Sequence, residues 1–287
     1  MLAGGEIPGG TDTLVHLEVK QHVPRPGPAD RADFLRVNVD GTARWLEWCG
    51  RVGIRRVIYL SSIKAVRAAP EGPTLEAAEG PAGSPYGDSK WQAERLVREW
   101  VEADSSRAAV ILRPAVIYGP GSTANIAAMM TALRRRRFFL VGTNDNRKSL
   151  ASVDNVVAAI AFVGDRMILG KTDVFNVADT ETITVRQLDG RLRRALGRSG
   201  NSPTLPLSVA RLAAGAGEVF HRLAGRELPL NRSRLAALLE TTWFPPDKLL
   251  ATGFKPVRTL DEGLTELVLS APVLSNKSRR SADHGVS

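Results

Sequence analysis

Runs of continuous apolar residues alternate with helix-spaced apolar positions through the first two thirds of the chain. Asp12–Leu17 (Asp-Thr-Leu-Val-His-Leu) reads as a short buried strand, and Arg56–Ser61 (Arg-Val-Ile-Tyr-Leu-Ser) as a second, rich in β-branched and aromatic residues. Between them, Phe34, Leu35, Trp45, Leu46, Trp48 and Cys49 predict one helix over about 31–50, capped by Asp30 and ended by Gly53. Residues 67–85, rich in Pro, Gly, Ala and Glu, read as a long loop. Ala93, Leu96, Val97, Trp100 and Val101 recur at helical spacing and predict a helix from Tyr86 to about Ala103. Ala108–Leu112 is a third buried strand, closed by Arg113-Pro114. A helix, a short strand at Phe138–Val141, a helix over about 153–164 and a strand at Val174–Val177 follow. Strands that alternate with helices predict an α/β fold with a doubly wound parallel sheet over 11–180. After Thr180 the pattern turns mostly helical. It predicts a smaller C-terminal lobe over 181–271, with contributions from 120–150, and a polar, frayed tail at 272–287.

Composition narrows the class. Hydrophobic residues make up 43% of the 287, enough for a core and too many for a disordered chain. Cys49 is the sole cysteine, so no internal disulfide forms and a reducing compartment, simplest the cytoplasm, is expected. No apolar run approaches the roughly 18 residues of a membrane span, so no membrane partner is expected. The net charge of +9 is compatible with nucleic acid or with anionic small molecules. No nucleic-acid recognition motif accompanies it, and a diphosphate-bearing substrate accounts for part of the charge more simply. Arg134–Arg137 reads as a solvated helix end rather than a phosphate cradle.

The chemistry concentrates in one stretch. A strand ends in Ser61-Ser62, a loop follows, and Tyr86-Gly-Asp-Ser-Lys90 opens a helix. Tyr and Lys at this spacing share a helix face, roughly 5–6 Å apart at Cβ. Oxidising a carbinol carbon requires loss of the hydroxyl proton as well as the hydride. A phenol with pKa about 10 is a poor base at neutral pH. A neighbouring ammonium favours the phenolate, and a serine hydroxyl can hold the same substrate oxygen. Y-x-x-x-K alone is a weak pattern. Its context here adds Ile111-Leu-Arg-Pro114 and Val116-Ile-Tyr-Gly-Pro-Gly121 downstream.

Jointly these segments resemble the extended short-chain dehydrogenases, the NAD-dependent epimerase/dehydratase group. The likeness runs from Asp12 onward and includes Val37-Asn-Val-Asp-Gly-Thr42, Tyr59-Leu-Ser-Ser-Ile-Lys64, Ser84-Pro-Tyr-Gly-Asp-Ser-Lys90 through Glu94, and Arg147-Lys-Ser-Leu-Ala-Ser-Val-Asp-Asn155. The wording of these segments leans toward UDP-hexose 4-epimerases and UDP-4-keto-hexosamine reductases. The resemblance implies a Rossmann-like domain, NAD or NADP as cofactor, and a UDP-sugar or other nucleotide sugar as substrate. It also implies that two helices can serve a homodimer. By the same resemblance Ser62, Tyr86 and Lys90 are the catalytic group. His16, Leu17, Asn38, Ser61, Pro114 and Val116 join Tyr86 and Lys90 in lining the cofactor. Lys64, Asn125 and Arg147 are expected to meet the substrate, Arg147 through a charge-assisted fork. No metal is expected. Plainer roles stand beside these: a satisfied core histidine for His16, a helix-end hydrogen-bonder for Asn38, a solvated charge for Arg147, packing for the five tryptophans, and inertness for Cys49.

The chain also departs from that pattern. It contains no G-x-x-G-x-x-G, whose glycines admit a pyrophosphate at a helix N-terminus. Asp12–Leu17 resembles the fourth strand of the family. Roughly two βα units, on the order of 60 residues, are therefore expected upstream. After His16-Leu17 stands Glu18-Val19-Lys20, where small residues against the cofactor are expected. The alternative expectations are an inactive, truncated remnant and a non-catalytic nucleotide-sugar-binding protein.

Overall fold

A computed structural model describes residues 10–21, 26–122, 125–224 and 232–270. The glycine-rich stretch before residue 10 and the expected tail at 272–287 lie outside them. In chain order the elements are β1 (Thr13–His16), α1 (Pro28–Phe34), α2 (Gly41–Val52), β2 (Arg56–Leu60), α3 (Pro85–Glu102), β3 (Ala108–Pro114) and β4 (Val116–Tyr118). Next come α4 (Asn125–Arg134), β5 (Leu140–Val141), β6 (Arg147–Lys148), β7 (Leu150–Ser152), α5 (Val153–Gly164) and β8 (Thr172–Val177). The remainder holds β9 (Ile183–Thr184), α6 (Val185–Ala195), β10 (Thr204–Leu205), α7 (Leu207–Ala224), α8 (Arg232–Leu239), α9 (Asp247–Ala251) and α10 (Leu260–Ser270).

Four parallel strands in the order β1-β2-β3-β8 form the main sheet. Alternate side chains of each strand point to opposite faces, and both faces are covered. On one face Val57, Tyr59, Ala109 and Ile111 pack against Leu46 and Cys49 of α2 and Ala93, Val97 and Val101 of α3. On the other, Ile58, Val110, Leu112, Phe175 and Val177 meet Val156, Ala159 and Val163 of α5, with Phe244 and Leu249 beyond. Each fully buried aliphatic or aromatic side chain contributes about 1.5–3 kcal/mol of transfer free energy. A third core joins Tyr118 and Leu150 to Met130 and Leu133 of α4, Leu188 and Leu192 of α6, and Leu264 and Leu267 of α10. Asp179 ties this core to the sheet. It accepts from Tyr118 Oη at 2.7 Å, from Asn155 Nδ2 at 2.8 Å and from the Ser152 amide at 3.0 Å.

Several expectations need correction. The single helix over 31–50 is two helices joined by a π-helical segment, Leu35–Asp40. Its start is Pro28 with Gly27 as the capping residue. Asp30 lies in the first turn, where its carboxylate accepts from the Gly27 amide at 3.1 Å. Proline at the first helical position explains the earlier start, since the ring pre-sets φ and the missing N–H has no partner to lose. Gly53 does end α2, in the left-handed region at φ 83° that a side chain would strain. Arg113 and Pro114 do not close β3 but belong to it, pairing with Asn176 and Val177. Proline is tolerated there as the strand's last residue. The strand expected at 138–141 shortens to β5, which pairs with β10. The largely helical part beyond Thr180 also contains the two-residue strands β9 and β10.

Candidate active site

Local chemistry at the C-terminal ends of β1 and β2 explains how the site is assembled. β2 delivers Ser61 with its amide donating to the Leu112 carbonyl at 2.7 Å. The chain then turns at Ser62, whose hydroxyl caps a single 3₁₀ turn, Ile63–Ala65, by accepting from the Lys64 amide at 3.1 Å. α3 begins against that turn. Ser84 caps it through the Gly87 amide at 3.1 Å, and Pro85 occupies its first position, so Tyr86 falls in the first turn. Gly87 is obligatory for this approach. A Cβ there would stand 2.1 Å from the Lys64 carbonyl oxygen, which is backbone and cannot step aside.

The three residues of the expected catalytic group meet at this junction. Burial pushes the Tyr86 phenol above its ordinary value, and the neighbouring Ser62 hydroxyl pulls the other way. Phe34 packs edge-on to the Tyr86 ring at 5.9 Å. One turn on, Lys90 is 1% exposed. Its Nζ donates to the Leu60 carbonyl at 2.8 Å and lies 4.2 Å from the centre of the Tyr59 ring. Burial lowers Lys90 to about 7, with Glu94 opposing the shift. The cation is therefore seated on β2, and burial rather than a cationic field dominates the Tyr86 phenol.

Around this group the other candidates divide. Asn38, buried in the π-helical segment, donates through Nδ2 to Ser89 Oγ at 2.9 Å and accepts the Lys20 amide at 2.8 Å. Ser89 in turn donates to the Tyr86 carbonyl at 2.8 Å. Asn38 thus clamps the chain after β1 to the first turn of α3. His16 is buried, with Nε2 2.9 Å from Thr42 Oγ1. The Thr42 hydroxyl donates to the Asn38 carbonyl at 2.7 Å, so Nε2–H is the donor in the His16 bond. Burial and the nearby Lys90 hold His16 down at about 4. Ser61 donates to Glu94 Oε1 at 2.6 Å. Pro114 ends β3 and Val116 begins β4. Leu17 is 52% exposed, and Glu18 accepts from Trp45 Nε1 at 2.7 Å.

The expected substrate residues sit on other elements. Lys64 pairs with Glu240, its Nζ 2.7 Å from both carboxylate oxygens. Arg147 on β6 is exposed and stacks over Trp243 at 4.4 Å from the ring centre. Asn125 is the exposed first residue of α4. Arg134 lies at the end of α4, where Arg198 donates to the Leu133 and Arg134 carbonyls and caps the helix. Among the described residues no group of three or more His, Cys, Asp or Glu converges as a metal site would require.

Sequence reasoning missed the polar scaffold beneath the serines. Glu94, 0% exposed, accepts from Arg113 Nε at 2.9 Å and Nη2 at 2.8 Å and from Arg98 Nη2 at 3.1 Å. Arg113 also donates to the Glu76 and Ala78 carbonyls, at 3.1 Å each, and so pins the loop after Ser62. Tyr59, Glu240 and Trp243 were missed as well. Glu240 and Trp243 carry no motif, and only the tertiary fold brings them near Lys64 and Arg147.

The fit of a dinucleotide can be tested on these residues. Tyr86, half-buried in the first turn of α3, offers a phenol to a ligand, whereas the Lys90 amine is 1% exposed and already donates to the Leu60 carbonyl. Residues 1–287 contain no G-x-x-G-x-x-G turn of the kind that admits a pyrophosphate.

Known proteins give the same outline. The fold resembles the UDP-glucuronic acid 4-epimerase of Bacillus cereus, solved with NAD, at a TM-score of 0.68 and 18% identity over 91% of this chain and 74% of that one. The chain is 28% identical over 256 residues to the N-acetyl-alpha-D-glucosaminyl-diphospho-ditrans,octacis-undecaprenol 4-epimerase of Escherichia coli O157:H7, spanning 89% of this chain and 76% of that protein. It is 28% identical over 257 residues to the UDP-glucose 4-epimerase of Vibrio cholerae, spanning 85% of this chain and 75% of that protein. The sheet is Rossmann-like, and because the model of the NAD dependent epimerase/dehydratase family matches residues 7–178, the chain belongs to that family.

Proposed function

We propose that the protein reversibly oxidises and reduces C4 of a hexose carried on a nucleotide diphosphate, giving epimerisation or 4-keto reduction. The observation that carries this reading is the Ser62 hydroxyl beside the Tyr86 phenol, with Lys90 one helical turn away. Ser62 holds the C4 oxygen, and Tyr86 as phenolate takes the hydroxyl proton; in the reverse direction the phenol returns it. Lys90, near its midpoint at neutral pH, gains its proton when an anionic phenolate forms beside it, which favours that phenolate. Tyr86 and Lys90 would hold the ribose of the dinucleotide, NAD or NADP, which when bound would accept and return the C4 hydride. Asn38 keeps the first turn of α3 in place through Ser89. Arg147 supplies a guanidinium for the diphosphate, with Asn125 and Lys64 as further contacts. A homodimer in a cytoplasmic setting fits this reading. Among the described residues no helix is long and apolar enough to cross a membrane. Tyr86→Phe should lower turnover of a UDP-hexose by about a hundredfold or more. Near-normal turnover in that variant removes Tyr86 from the role.

Glu18, standing where small residues against the cofactor are expected, favours a second reading, nucleotide-sugar binding without catalysis. Calorimetry separates the two. Binding of both UDP-hexose and NAD(P) supports the enzyme, of UDP-hexose alone the binding protein, and of neither an inactive remnant.

A further inference from the structure

We infer that Glu240 is a specificity-determining residue that makes the sugar site select neutral hexosyl groups over hexuronosyl groups. The inference rests on the nucleotide-sugar reading above and adds the substrate class. Lys64 starts at the catalytic wall. Its amide binds the Ser62 hydroxyl, its carbonyl abuts Gly87 beside Tyr86, and its side chain runs out to Glu240. Both partners are about half accessible, with side-chain exposures of 41% and 43%, so a ligand can reach them.

The Glu240 backbone is fixed by its surroundings. Lys148 Nζ and Asn146 Nδ2 both donate to its carbonyl oxygen. Two residues on, the Thr242 amide donates to the Arg147 carbonyl at 2.8 Å, and the Ser149 amide donates to the Thr242 carbonyl at 2.7 Å. Trp243 carries the Arg147 guanidinium on its ring and accepts the Thr74 amide at 2.8 Å. The carboxylate therefore stands between the Ser62–Lys64 turn and the Arg147–Trp243 pair. A nucleotide sugar with its diphosphate on Arg147 and its C4 hydroxyl at Tyr86 passes beside it.

Charge decides what the site accepts. A free Lys64 would attract the carboxylate of a uronic acid. With both carboxylate oxygens of Glu240 against it, that attraction is spent inside the protein, and an incoming carboxylate meets a like charge. A sugar hydroxyl meets no such penalty, because it can donate to a Glu240 oxygen and accept from Nζ–H. Arg147 and Lys148 are the other charged groups nearby. The Lys148 Nζ is taken up by the Ala237 and Glu240 carbonyls, so the Glu240 carboxylate is the charge an incoming group meets beside Lys64. A like-charge contact in a half-solvated cleft changes affinity by about tenfold.

Calorimetric titration of the full chain with UDP, UDP-glucose and UDP-glucuronate tests this. The wild type should bind UDP-glucose about tenfold more tightly than UDP-glucuronate. Glu240→Gln should erase that ratio. Because the pair is half exposed, the variant does not threaten the fold. A wild-type preference for UDP-glucuronate, or a ratio unmoved by Glu240→Gln, overturns the inference alone. Failure of the wild type to bind UDP or either UDP-sugar overturns the nucleotide-sugar reading and this inference with it.

Discussion

Replacing Glu94 by glutamine should be among the most damaging single changes away from the reacting atoms. The carboxylate accepts four hydrogen bonds, from Ser61 Oγ, Arg113 Nε, Arg113 Nη2 and Arg98 Nη2. Glutamine offers one acceptor oxygen and turns an N–H₂ toward a guanidinium that is 1% exposed and cannot shed its proton. Breaking a buried pair on one side costs about 3–5 kcal/mol, because the remaining charge stays desolvated. At roughly 2–4 °C per kcal/mol, the melting temperature should fall by about 6–20 °C. Urea unfolding followed by circular dichroism measures the free energy directly. A double variant, Glu94→Leu with Arg113→Met, removes both charges and should recover most of the loss. The loop over 67–85 should also become cleavable in Glu94→Gln, since Arg113 holds it through Glu76 and Ala78. A loss under about 1 kcal/mol, the level of an exposed pair, would show that the buried network is not what stabilises this layer.

Three further outcomes follow from the buried titratable groups. Unfolded lysine keeps its proton to about 10.5 and Lys90 in the fold only to about 7, so the unfolded chain binds more protons between those values and stability climbs with pH across them. Lys90→Met should accordingly raise the melting temperature most below pH 7, with the gain fading toward pH 10.5; a pH-independent gain refutes the linkage. His16, drawn from 6.5 to about 4, should stay neutral down to about pH 5 in ring-proton NMR, and stability should fall with pH between those two values; a midpoint near 6.5 is the contrary result. Cys49 is buried, and burial raises its thiol to about 11, so a disulfide-exchange reagent should label it only as fast as the protein unfolds; rapid labelling of the native protein would contradict the packing.

The alternation of strands and helices was legible because each buried strand is a continuous β-branched or aromatic run and α3 repeats its apolar positions at helical spacing. The Ser62–Tyr86–Lys90 spacing was legible for the same reason: it lies on one strand end and one helix start. The break in the helix at 35–40 was not, because a π-helical segment keeps apolar residues in place and only widens the turn. Arg113-Pro114 looked like a terminator, since a charged residue and a proline rarely share a buried strand. Glu94 supplies the missing reason, from 19 positions earlier in the chain. Lys64 drew attention by its place after Ser62, but its partner Glu240 lies 176 positions away, a separation no local pattern spans.

The widened turn at Leu35–Asp40 has a consequence for how the chain tolerates changes of length. A π turn is an α-helix with one residue to spare, so deleting Val39 would let α1 and α2 fuse into a continuous helix with their apolar stripe still facing inward. What would be lost is the angular offset that brings Asn38 round to both Ser89 and the Lys20 backbone. A shortened protein would keep its shape while the first turn of α3 came loose from its brace, separating foldedness from competence at the Tyr86 hydroxyl with the removal of a single peptide unit.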